Sequence, residues 1–122
     1  MKDKRTLLII DDDQQMGKML GEYFADDYSV LRAADGAEAL ILAADRRPEL
    51  IILDVNLPIL DGRTVCRKLK GYHGTKDIKI VMLSGRDDHN DRIVGFEAGA
   101  DDYIEKPCSL AYVKRSVESC LR

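Results

Sequence analysis

Carboxylates in this chain stand where chemistry could use them. Asp11, Asp12 and Asp13 follow the apolar run Thr6 to Ile10, and Asp54 ends the run Leu50 to Leu53, leading into a turn with Asn56, Pro58 and Gly62. Ser84 closes a third run, Ile78 to Leu83, and Lys106 and Pro107 come directly after Asp102 to Glu105. Taken singly, each has an ordinary structural explanation: an aspartate or serine after a strand caps a helix or shapes a turn, and a lysine is solvated. One aspartate suffices for a cap, so three in succession exceed that need. If Asp11, Asp12 and Asp54 share a pocket, their charges raise one another's pKa values unless a cation joins them. Oxygen ligands without neighbouring His or Cys select Mg²⁺ over zinc, and so few of them leave the coordinated waters that Mg²⁺ retains. A hydroxyl and an ammonium beside that centre suit a phosphoryl group, whose oxygens need cationic and hydrogen-bonding partners. Asp54 is then the candidate nucleophile, forming an acyl phosphate.

These residues meet only if the apolar runs are neighbouring strands sharing one direction. The pattern supports that. Between Thr6–Ile10 and a second strand at Tyr28–Ala33, Met16, Met19, Leu20, Tyr23 and Phe24 repeat at helical spacing, with Asp12 or Asp13 as cap and Asp26–Asp27 as the exit. Asp35 and Gly36 open a second helix carrying Ala39, Leu40, Ala43 and Ala44, and Val65, Leu69 and Tyr72 mark a third, loosened by Gly71 and Gly74. Residues 87–98 carry a weaker helical pattern, and Asp102–Glu105 is a short fifth strand behind the loop EAGADD. Leu110, Val113, Val117, Cys120 and Leu121 describe a closing amphipathic helix. Strands alternating with helices through short loops predict a doubly wound α/β fold around a five-stranded parallel sheet, in which strand ends share one edge.

Bulk properties narrow the class. At 122 residues the chain is expected to form one domain, residues 1–122, with a real core. A net charge of −3 provides no electrostatic case for nucleic acid or an anionic membrane, and no apolar run approaches the ~20 residues that span a bilayer. The start, MKDKRTLLIIDDD, turns acidic too soon for a signal peptide, so a cytoplasmic protein is expected. Cys66, Cys108 and Cys120 are odd in number and lack metal-site spacing, so they read as free thiols packed as small apolar residues, with a redox role the alternative. His73 and His89 read as residues of solvated loops or helix ends.

The motifs IIDDD at Ile9 to Asp13, LDVNLPILDG at Leu53 to Gly62, Ser84–Gly85, and GADDYIEKP at Gly99 to Pro107 together resemble the receiver domain of two-component response regulators. The resemblance covers nearly the whole chain in the family's order, with Ser84 thirty and Lys106 fifty-two residues after Asp54. It implies the flavodoxin-like (βα)5 receiver fold and a phosphoacceptor role for Asp54. It also implies Mg²⁺ bound directly by Asp12, Asp54 and the Asn56 carbonyl, with Asp11 acting through water, and phosphoryl oxygens held by Ser84 and Lys106. Tyr103 corresponds to the aromatic switch residue, turning inward when Ser84 moves toward a phosphorylated Asp54, and the Lys106–Pro107 bond is expected to be cis. The implied donor is a phosphohistidine on a histidine kinase or phosphotransfer protein. The implied receiver of the signal is a downstream protein or a fused output domain, reached through the fourth and fifth expected helices. Such a domain switches protein contacts and hydrolyses its own phosphate slowly; it is not an enzyme turning over a metabolite.

Some positions depart from that pattern. Cys108 stands where many receivers carry Phe. Tyr112 and Ser116 interrupt the acidic and arginine pattern of receivers that dimerise ahead of DNA-binding domains, leaving homodimerisation open. Arg86 and Asn56 sit where the family tunes hydrolysis. A metal-dependent aspartyl phosphatase resembling the haloacid dehalogenases is the alternative from another class. Its nucleophile heads the first strand in Asp-x-Asp, whereas here the acidic cluster comes first and Asn56 takes the second Asp position. A non-phosphorylated interaction module is a third reading, disfavoured because every site position is filled.

Overall fold

Short runs rich in Leu, Ile and Val form the strands, and their alternating side chains cover both faces of one sheet. The computed structural model describes residues 4–85 and 98–122. Its strands are β1 (Arg5–Ile10), β2 (Tyr28–Ala33), β3 (Leu50–Asp54), β4 (Lys79–Ser84) and β5 (Asp102–Glu105). All pairings are parallel, in the order β2-β1-β3-β4-β5. The helices are α1 (Gln14–Phe24), α2 (Gly36–Arg46), α3 (Gly62–Gly71) and α4 (Leu110–Cys120). The predicted five-stranded, doubly wound fold is therefore present.

A period of two sorts the core into two layers. Leu7 and Ile9 of β1, Leu50 and Ile52 of β3, and Val81 and Leu83 of β4 pack with Leu20 and Phe24 of α1 and Val113 and Val117 of α4. Leu8, Ile10, Ile51, Leu53, Ile80 and Met82 point the other way, onto Ala39 and Ala43 of α2 and Val65 and Leu69 of α3. Each fully buried Leu or Ile contributes about 1.5–3 kcal/mol, which is why β3, buried along its whole length, anchors the sheet.

Polar side chains start the helices: Asp13 caps α1, Asp35 caps α2, Asp61 caps α3 and Ser109 caps α4. Gly17 and Gly21 lie inside α1, where each is about 1 kcal/mol less favourable than Ala, so packing must account for them. Some positions in the sequence pattern face water. Met19 and Tyr23 are exposed on α1 while Leu20 and Phe24 fill the core, because the helix buries only a narrow stripe. Tyr72 is likewise exposed, and it is extended at the end of α3, since the helix stops at Gly71. The helical pattern expected at residues 87–98, with Arg86 and His89, lies outside the described residues apart from Ala98, which is buried. Cys66, Cys108 and Cys120 are free thiols. Burial pushes the Cys66 thiol up to about 11, leaving it unreactive near neutral pH. No helix among the described residues is long and apolar enough to cross a membrane.

Candidate functional site

Four strand ends build one edge. β1 delivers Asp11, whose N–H donates to the Ala33 carbonyl at 3.1 Å and whose Oδ1 accepts from the Asp13 N–H at 2.9 Å. Asp13 Oδ1 accepts from the N–H groups of Gln15 and Met16 at 3.0 and 3.2 Å. The aspartate run thus divides its labour: Asp13 is the helix cap, Asp11 is buried beneath the loop, and Asp12 is exposed. The capping explanation accounts for one of the three.

β3 delivers Asp54, which is 5% exposed and whose Oδ1 accepts from the Asn56 N–H at 3.1 Å. The loop behind it is tied by Val55 N–H to Leu83 O at 3.0 Å and by Gly62 N–H to Val55 O at 2.8 Å. Gly62 is required for that closure: a Cβ there would lie 2.4 Å from Asp54 O and 2.7 Å from Val55 Cα. At the loop's tip Ile59 is almost wholly exposed with φ 69°, a left-handed conformation that strains a β-branched residue. Sequence pattern held no signal for that strain, since Ile is among the least suited residues for it.

β4 delivers Ser84, buried at the same edge, and the Lys106 N–H donates to its carbonyl at 2.6 Å. The Lys106–Pro107 peptide is cis, as expected. Lys106 Nζ reaches 3.6 Å from Asp54 Oδ1 and 3.9 Å from Asp11 Oδ2, one cation against two buried carboxylates. Tyr103 is buried and packs in the α2/α3 core layer. Beyond β5, Tyr103, Pro107, Cys108 and Tyr112 line a cleft of about 370 Å³.

Electrostatics oppose ionisation of Asp11. Burial, with the nearby Asp54 carboxylate adding to it, pushes the Asp11 carboxyl up to about 6 against the opposing Asp13 N–H and Lys106. Asp11 Oδ2 is buried with no hydrogen-bond partner among the described residues. Asp11, Asp12 and Asp54 each offer an oxygen, all within 4.8 Å of one another. An all-oxygen set with an orphaned, buried acceptor fits a hard divalent cation such as Mg²⁺. Sequence reasoning overlooked Arg32 of β2, whose guanidinium donates to the Gln14 carbonyl at 3.1 Å beside this loop. An isolated arginine in a strand carries no motif.

Comparison with known proteins agrees with the geometry. Residues 7–118 match the response regulator receiver domain family. The chain is 40% identical over 117 residues to the response regulator MprA of Mycobacterium sp. (strain KMS), covering 95% of this chain and 50% of that protein. It therefore spans about half the length of the curated relatives it matches. A response regulator structure from Chloroflexus aurantiacus J-10-fl aligns with TM-score 0.92 and 39% identity over 98% of both chains. The BeF3-activated N-terminal receiver domain of Klebsiella pneumoniae RstA aligns with TM-score 0.86 and 32% identity, over 96% of this chain and 98% of that one. Nothing in these comparisons supports the haloacid dehalogenase alternative. With its parallel sheet, its acidic edge and this family match, the chain belongs to the receiver domains of two-component response regulators.

Proposed function

We propose that residues 1–122 act as one receiver unit whose Asp54 accepts a phosphoryl group from a phosphohistidine. The observation that supports this is the meeting of Asp54 with Lys106 and the acidic pair Asp11 and Asp12 at one strand edge. An Asp54 carboxylate oxygen forms an O–P bond as the donor's N–P bond breaks, and the electron pair leaves on the imidazole nitrogen, which takes up a proton. Lys106 Nζ, already 3.6 Å from Asp54, stabilises charge on the transferring oxygens, and the Ser84 hydroxyl donates to one of them. Asp11, Asp12, Asp54 and the Asn56 carbonyl would hold Mg²⁺, which when bound neutralises charge on the phosphoryl oxygens. Hydrolysis reverses the state: a water oxygen bonds to phosphorus and the O–P bond to Asp54 breaks.

Phosphorylation takes Asp54 from −1 to roughly −2 and draws Ser84 and Lys106 toward it. A buried Tyr103 is then the arrangement the phosphorylated form stabilises, with the surface around β5 and α4 carrying the signal. Moving the population from 1:99 to 99:1 takes about 5.5 kcal/mol, within reach of several charge-assisted hydrogen bonds. The donor is a histidine kinase or phosphotransfer protein, and the signal passes to a downstream protein or a fused output domain. One relative, PrrA of Mycobacterium tuberculosis, is named a transcriptional regulatory protein, which makes transcription a candidate output of the whole protein. The domain acts in the cytoplasm through protein contacts, without binding nucleic acid itself. Homodimerisation is a candidate form of the activated domain.

Incubation with acetyl phosphate and Mg²⁺, followed by intact mass spectrometry, tests the assignment. Wild type gains one phosphoryl group and Asp54→Asn gains none. Equal labelling of the variant, or no labelling of wild type by acetyl phosphate together with no spectral response to beryllofluoride, refutes it.

A further inference from the structure

We propose that Arg32 is a positioning residue for the metal site, holding the acidic loop in register through the first turn of α1. The inference rests on reading Asp11, Asp12 and Asp54 as metal ligands. Asp12 is exposed, and its carboxylate takes no hydrogen bond from the described residues, so its aim depends on the backbone between Asp11 and Gln14. β2 holds that backbone at both ends. Ala33 accepts from the Asp11 N–H at 3.1 Å, and Arg32 Nη2 donates to the Gln14 carbonyl, just past the Asp13 cap, at 3.1 Å.

The fit around Arg32 is close enough to dictate sequence on α1. A Cβ at Gly17 would meet Arg32 Nη2 at 2.8 Å, Nε at 3.1 Å and Cζ at 3.3 Å, so the guanidinium lies directly on the bare backbone of the helix. One turn on, a Cβ at Gly21 would stand 3.6 Å from Arg32 Cδ. Two helix-weakening glycines, four residues apart, thus make a channel along which the arginine runs to reach the loop. Arg32, Gln14 and Asp11 then line one cleft of about 200 Å³. A planar guanidinium held over a backbone has one geometry, whereas a lysine there would not. Mg²⁺ demands near-ideal octahedral placement of its ligands, so a loop fixed in this way binds it more tightly.

Position and charge make opposite predictions. A cation near the site repels Mg²⁺, so if charge alone mattered, removing Arg32 would tighten metal binding. If position matters, removal weakens it. Calorimetric titration with Mg²⁺ and urea unfolding in EDTA are measured for wild type, Arg32→Met, Gly17→Ala and the double variant. Each single substitution is expected to raise the Mg²⁺ Kd roughly 10-fold, in the range of changes made behind metal ligands. The double variant is expected to bind no more weakly than Arg32→Met alone, because Gly17→Ala acts only by displacing the arginine. Unchanged or tighter Mg²⁺ binding in Arg32→Met overturns the proposal, even if urea stability falls, and so do losses that multiply in the double variant. A wild type that takes up no Mg²⁺ refutes the metal-site reading itself and the inference with it.

Discussion

Replacing Asp11 with Asn should make the metal-free protein more stable, although it removes a candidate ligand. Burial first, then the adjacent Asp54 carboxylate, lifts the Asp11 carboxyl from 3.8 to about 6. The folded protein therefore holds a proton there more tightly than the unfolded chain does. By linkage, stability falls as pH rises between these values, and the penalty for the ionised carboxylate is fully present above about pH 6. At roughly 1.4 kcal/mol for each tenfold change in proton affinity, that penalty is on the order of 2–3 kcal/mol. Asparagine stays neutral, its Oδ1 can still accept from the Asp13 N–H, and its Nδ2 takes the place of Oδ2, which accepts no hydrogen bond from the described residues. Urea unfolding in EDTA at pH 8 should show Asp11→Asn more stable by about 2 kcal/mol, a gain that shrinks toward zero near pH 4. Mg²⁺ at 100 times its Kd adds ~2.7 kcal/mol to wild type and less to the variant, levelling or reversing the order. A variant less stable than wild type at pH 8 in EDTA, or a difference that does not vary with pH, would show that Asp11 is not held ionised against its surroundings.

Two further predictions concern the frame and the cation. Gly62→Ala drives a methyl group into the backbone of Asp54 and Val55, so it should cost about 2–3 kcal/mol in urea unfolding and slow labelling of Asp54 by acetyl phosphate; wild-type values in both assays would contradict the close approach. Lys106→Met removes the one cation within 4 Å of both buried carboxylates among the described residues, and beryllofluoride should then fail to shift the amide resonances of β5 and α4 even where Mg²⁺ still binds; a wild-type response would remove Lys106 from the switch.

The legible parts of the fold were those with strong periodicity. Leu50 to Leu53 read as a strand buried on both faces because four successive apolar residues fit little else, and they are buried in β3. The Val113 and Val117 spacing likewise read as the inner stripe of α4. Met19 and Tyr23 fit the same kind of pattern and yet face water, because periodicity cannot tell the centre of an apolar stripe from its rim. The aspartate run was ambiguous for a related reason: any of the three could cap a helix by residue type, and only backbone geometry assigns that to Asp13.

By itself, the sequence determined the fold class, the family and the order in which carboxylates, hydroxyl and lysine arrive, since these depend on local pattern and on motif spacing along the chain. Tertiary structure alone decided how the residues meet. It brought Lys106 within 3.6 Å of Asp54, buried Asp11 with no hydrogen bond to one of its oxygens among the described residues, buried Tyr103 in the core, and laid Arg32 across Gly17. Those relations join residues 15 or more positions apart, and their distances are set by how helices pack on a twisted sheet, which no local pattern encodes.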